Sequence, residues 1–63
     1  MIVRWLLRGE ALRQEEVLDV EQLLFLLRMV GTVSVDGVSY RVEHSELDVS
    51  ASGMALSVHL QHH

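Results

Sequence analysis

Four histidines are the residues best suited to chemistry: His44, His59, His62 and His63, the last three in the run His59-Leu-Gln-His-His63. Imidazoles beside a carboxylate such as Glu46 can hold a divalent metal. No H-E-x-x-H spacing makes such a set specific, and a polar C-terminal run ordinarily frays. The expectation is no metal and no cofactor. Glu15-Glu16 and Glu43/Glu46 could serve acid–base catalysis, but neighbouring acids on a small domain ordinarily form a solvated face. Ser34, Ser39, Ser45, Ser50, Ser52 and Ser57 lack any G-x-S-x-G context, and strand-face or turn duty accounts for them. The four glycines stand singly, so there is no phosphate-cradling loop. A chain of 63 residues also has little room for a ligand pocket of about 300 Å³ or more. An enzyme is not expected.

Trp5 with Arg4, Arg8 and Arg13 is the nucleic-acid candidate, since an indole can stack on a base while guanidinium groups meet phosphates. The charge balance opposes it. The chain carries five arginines, no lysine and nine acids, for a net charge of −4. Residues 1–13 are locally basic and the remainder strongly acidic, whereas phosphate binding needs a net basic surface. Trp is also the residue that a small core most needs. Nucleic acid is therefore the alternative partner rather than the expected one.

These side chains must be positioned by one small domain, residues 1–63. Domains of this size bury only about 60% of their unfolded surface, and they ordinarily gain stability from disulfides, a metal or a partner chain. No cysteine is present, which removes disulfides and thiolate metal sites. At 49% hydrophobic residues and no proline, the composition is far from that of a disordered chain. No signal peptide or apolar run of membrane-spanning length is apparent. A soluble cytoplasmic protein is the expectation.

Asp36-Gly37 is a strong hairpin signal, because a type I′ turn needs positive φ at both central positions. With that loop, Val35 faces Val38 and Val33 faces Tyr40, while Thr32, Ser34, Ser39 and Arg41 take the other face. Taking Ser52-Gly53 as a second loop pairs Val49 with Leu56, Leu47 with Val58 and Glu46 with His59. The first hairpin turns even-numbered residues inward on the middle strand, and the second turns odd-numbered ones inward. Glu43-His44-Ser45-Glu46 must then contain a bulge, bend or break. Asp19 can cap a helix that Gly31 stops, with Gln22 at the capping-box position and Leu18 stapling to Leu23. The segments before it, MIVRWLL and EALRQEEVL, read as two strands joined at Gly9-Glu10. The fold expected is α+β, a single helix packed on an antiparallel sheet in the order ββαβββ, with a C-terminal three-stranded meander. The alternative is βαβββ with a longer helix from about residue 10.

The helix run Val20-Glu-Gln-Leu-Leu-Phe-Leu-Leu-Arg-Met-Val30 has more apolar residues than one buried stripe requires. Val20, Leu23, Leu24, Leu27 and Val30 form that stripe at 100° per residue. Phe25 and Met29 fall nearly opposite, with Leu26 to one side. Interfaces enrich aromatic and Met side chains. Phe25, Leu26 and Met29 therefore define the candidate interface of a homo-oligomer, with a dimer the commonest form, or of a contact with another protein. The pattern Asp36-Gly-Val-Ser-Tyr-Arg-Val42 is similar to hairpins of many small bacterial and phage-associated proteins. It reports a turn and carries no function. The expectation is a non-enzymatic interaction or self-association module, the alternative a nucleic-acid-binding module built on the Arg-rich N-terminal hairpin.

Overall fold

A computed structural model describes residues 1–63. The elements are β1 (Ile2–Leu7), β2 (Glu10–Glu16), α1 (Val20–Met29), β3 (Thr32–Val35), β4 (Val38–Ser50) and β5 (Gly53–His62). The order ββαβββ is thus as expected, and residues 10–16 form a strand rather than an extension of the helix. One five-stranded sheet runs β2-β1-β5-β4-β3. The C-terminal meander is present, but the sheet is mixed rather than antiparallel, because β1 pairs parallel to β5 from Ile2↔Ala55 to Leu7↔Leu60. That pairing places the first strand inside the sheet, between β2 and the central β5.

The Asp36-Gly37 turn forms as its residue types require, with φ of 49° and 85°. It sets Val35 against Val38 and Val33 against Tyr40. In β4 the register slips between Val42 and His44, leaving Glu43 as the extra residue. This bulge lets Val42 and Leu47 share one face although their numbers differ in parity.

Two registers differ from those expected. The C-terminal hairpin turns at Ala51-Ser52, so Leu47 pairs with Leu56, Val49 with Met54 and His44 with His59. The shift is by two positions, so every side chain keeps its face. Gly53, at φ 129°, takes the position just past the two turn residues, and the Ser50 and Ser52 hydroxyls lie 2.9 Å apart across the turn. In the N-terminal hairpin the turn is Arg8-Gly9, both at positive φ. Trp5 pairs with Arg13 and Leu6 with Ala11, which leaves Leu12 as a bulge. An arginine in the left-handed region costs about 1–2 kcal/mol, which asparagine largely avoids. Arg8→Asn is expected to raise the urea midpoint by the equivalent of roughly 0.5–1 kcal/mol. An unchanged midpoint would show that Arg8 makes a compensating contact.

The helix begins as its capping residue dictates: the Gln22 backbone N–H donates to the Asp19 carboxylate at 2.9 Å. It ends at Met29 with an extended Val30 as its C-cap, so Gly31 follows directly as the stop. Leu18 is almost fully exposed, so no staple to Leu23 forms. The core cluster is Val3, Val35, Tyr40, Leu56, Val58 and Leu60. Val20, Leu23, Leu24 and Leu27 of α1 pack against it, together with Trp5, Val33 and Val42. No residue of α1 is itself buried.

The sheet curls until its edges almost meet. Arg13 on edge strand β2 reaches Asp36 in the β3–β4 turn at 3.5 Å, and a cleft lined by Trp5, Glu15, Val33 and Val35 separates the two edges. Hydrogen bonding by Glu15, then the charges of Glu15 and Asp36, hold the Arg13 guanidinium above its ordinary pKa. Arg13 therefore stays cationic, and its ion pair with Asp36 links the two edges. No helix is long and apolar enough to cross a membrane.

Candidate interaction surface

The capped start of α1 sets which side of it faces the sheet. With Leu23, Leu24 and Leu27 turned to the core, the outer side carries Phe25, Leu26 and Met29, all exposed; Val30, expected on the core stripe, is exposed as well because the helix stops before it. Phe25 is 61% and Met29 68% exposed. The N-terminal hairpin does not wrap over them. A shallow depression between Glu21, Leu24, Phe25 and Arg28 lies within this surface, and Arg28 has no acid within ion-pair distance.

A second apolar patch was not legible from periodicity. Leu47, Val49 and Met54 lie on the face of the sheet that carries the core, as their pairing with Leu56 and each other requires. They are nevertheless 55%, 72% and 56% exposed. The reason is reach. Leu24, Leu27 and Arg28 meet β4 at Val42, His44 and Ser45, and the ten residues of α1 are only about 15 Å long at 1.5 Å each. The end of the β4–β5 hairpin lies beyond that cover. Strand alternation identified these residues as apolar-face residues, but not that the face extends past its helix.

The histidines fall into two places. The rings of His44 and His59 stack at 4.3 Å and 14°. The Nε2 of His59 lies 3.4 Å from Glu46 but makes no aligned hydrogen bond. His44 has Glu43 at 3.4 Å. Glu46 pairs with Ser57 rather than His59, because the register is displaced. Stacked rings direct their nitrogens alongside one another rather than toward a common point, and no three His, Asp or Glu groups are placed to hold a metal ion. His62 belongs to β5 and pairs with Tyr40, its ring 5.9 Å away, so strand pairing holds the tail up to that residue.

The opposite, outward face of the sheet carries a polar row. The Ser57 hydroxyl donates to Asp48, Arg4 lies 3.9 Å from the same carboxylate, and Arg4 Nε donates to Gln14 at 3.4 Å. Ser57 is buried. Its hydroxyl is turned to a carboxylate rather than to an imidazole, so this is a structural bond across the strands and not an activated nucleophile. The hollow beside it, lined by Ile2, Arg4, Asp48 and Met54, measures about 180 Å³. Glu15 and Glu16 take opposite faces of β2. Glu15 binds Arg13, and Glu16 accepts from the Met1 amino group at 3.1 Å.

The Arg-rich hairpin does not gather its cations. Arg4 is turned to Asp48, Arg13 to Glu15 and Asp36, and Arg8 sits in the turn. Trp5 packs against the core cluster, across from Arg13 rather than beside Arg4. Two of the three guanidinium groups are therefore already engaged by carboxylates that a phosphate would have to displace.

The surface is large for the mass. Its accessible area is 4562 Å², whereas monomeric proteins of 7.2 kDa expose about 4,100 Å². Ten large hydrophobic residues are exposed against seven hydrophobic residues buried, so the apolar material outside the core rivals that within it. No protein-family profile matches the chain, and no characterised protein or solved structure is similar to it at a significant level.

Proposed function

We propose that this protein is a non-enzymatic interaction module that associates through the outer side of α1, with Phe25, Leu26 and Met29 at the centre of the contact. The observation that carries the reading is the exposure of these side chains together on one element whose other side already serves the core. An isolated exposed leucine needs no explanation. A cluster of Phe, Leu, Met and Val with Arg28 beside it has the composition of an interface centre.

Self-association is the preferred form. A core of this size gains from a second copy, and a two-fold dimer lets one patch cover itself. Sedimentation equilibrium across a concentration series is expected to give an average mass that rises from 7.2 kDa toward twice that value. A mass of 7.2 kDa at every concentration would remove self-association and leave a different protein as the occupant. The nucleic-acid reading has weaker support, because acids already engage Arg4 and Arg13.

A further inference from the structure

The edge of β4 has a job that the helix surface does not explain. β3 pairs with β4 only through Val38–Arg41. Beyond the bulge at Glu43, β4 has β5 on one side and no strand on the other. In its last five residues, Glu46–Ser50, every second N–H and C=O points away from β5 with no backbone partner. Such an edge is a template for another strand. It carries neither lysine nor proline, two of the residues that ordinarily blunt an edge.

Side chains on its two faces determine what fits. Glu46 and Asp48 lie on the outward face, and Leu47 and Val49 on the apolar one. Asp48 has a cation in Arg4, but Glu43 and Glu46 have only histidines within ion-pair distance. A second copy is a poor occupant. Two β4 edges related by a two-fold axis at Leu47 would set Glu46 opposite Asp48, an axis at either acid would set it opposite itself, and an axis at Val49 would set Asp48 opposite Ser50 and give Glu46 no cation. Like charges directly opposed across strands destabilise the pair. Of the two terminal strands, β3 faces β2 across the cleft lined by Val33, Val35 and Trp5, and β2 offers Glu10, Glu15 and Glu16, its one cation, Arg13, being already held by Glu15 and Asp36.

We infer that the Glu46–Ser50 edge of β4 receives an extended segment of another protein in which cationic residues alternate with apolar ones. The partner's backbone continues the sheet, its cations meet Glu46 and Glu43, and its apolar side chains cover Leu47, Val49 and Met54. One occupant thereby satisfies the open backbone, the uncompensated acids and the uncovered apolar end of the hairpin. Strand addition of this kind draws affinity from main-chain hydrogen bonds and selectivity from alternate side chains. The acids also oppose the pairings of identical edges centred on Glu46, Leu47 and Asp48.

The test uses the full chain and the capped hexapeptide Lys-Val-Lys-Val-Lys-Val, read by amide NMR shifts and hydrogen exchange. With peptide at about ten times its Kd, outward amides within 46–50 are expected to exchange roughly tenfold more slowly. The glutamate-for-lysine peptide and the fully N-methylated peptide should give no protection, and Glu46→Arg should weaken binding of the parent peptide. Phe25→Asp should leave it unchanged, which separates this edge from the helix surface. Equal binding of the N-methylated peptide would reduce the effect to bulk charge and overturn the inference. Shifts confined to α1, or none at millimolar peptide, would overturn it as well.

Discussion

Leu56→Ala is expected to leave much of the population unfolded at 25 °C. Leu56 is 4% exposed and lies in the core cluster beside Val3, its parallel-strand neighbour. Truncating a buried leucine costs about 2–5 kcal/mol, counting both lost transfer energy and the cavity left behind. A core of this size supplies about 3–5 kcal/mol in total, so one such change can consume the margin. The control is its cross-strand partner, Leu47, which shares the face but is 55% exposed. Leu47→Ala should cost less than about 1 kcal/mol, because little area returns to water. Urea melts followed by far-UV circular dichroism separate the two. Similar small losses at both positions would mean that the apolar face is not organised around β5.

The second large effect concerns association. Phe25→Asp is expected to weaken self-association by at least about 30-fold, the 2 kcal/mol or more that marks a central interface residue. A carboxylate placed there must also be desolvated without a partner. Phe25 is largely exposed in the single chain, so the stability of the isolated fold should change by no more than about 0.5 kcal/mol. Sedimentation equilibrium reads the first quantity and a urea melt under dissociating dilution reads the second. A folded variant that associates as tightly as its parent would move the contact away from α1.

The two tests probe different halves of one physical situation. Seven hydrophobic residues are buried, and their neighbours on the helix and the hairpin end are not. The same deficit of cover that makes Leu56 indispensable leaves Phe25, Met29, Leu47 and Val49 facing water.

The features legible in the sequence are those fixed by near neighbours. Asp36-Gly37 announced its turn because only certain residues tolerate positive φ twice in succession. Asp19 announced the helix start because a carboxylate satisfies an N–H three residues on. The bulge at Glu43 followed from a conflict of parity between two alternating strands, which needs no tertiary knowledge to detect. Phe25, Leu26 and Met29 were legible as helix residues off the core stripe for the same reason, that a helix has a period.

Other features depended on distances the chain alone does not state. The expected Glu46–His59 pair failed because hairpin register shifts by two without disturbing any face, so sorting apolar from polar residues could not detect the error. Leu12 became a bulge because the Arg8-Gly9 turn and the Trp5–Arg13 pairing demand different registers.

What the chain by itself determined is its local geometry: the element order, the Asp36-Gly37 turn, the helix cap and which side chains of the C-terminal hairpins share a face. Each depends on φ preferences or on periods of 2 and 3.6 acting within a few residues. Only the tertiary structure decided that β1 lies parallel to β5, that the sheet curls until Arg13 meets Asp36, and that α1 stops short of the hairpin end. Pairing residue 2 with residue 55 is set by closing a long loop around a shared core, and no local signal encodes that contact. Those long-range choices also left the Glu46–Ser50 edge without a strand, and they decided which apolar residues remained uncovered.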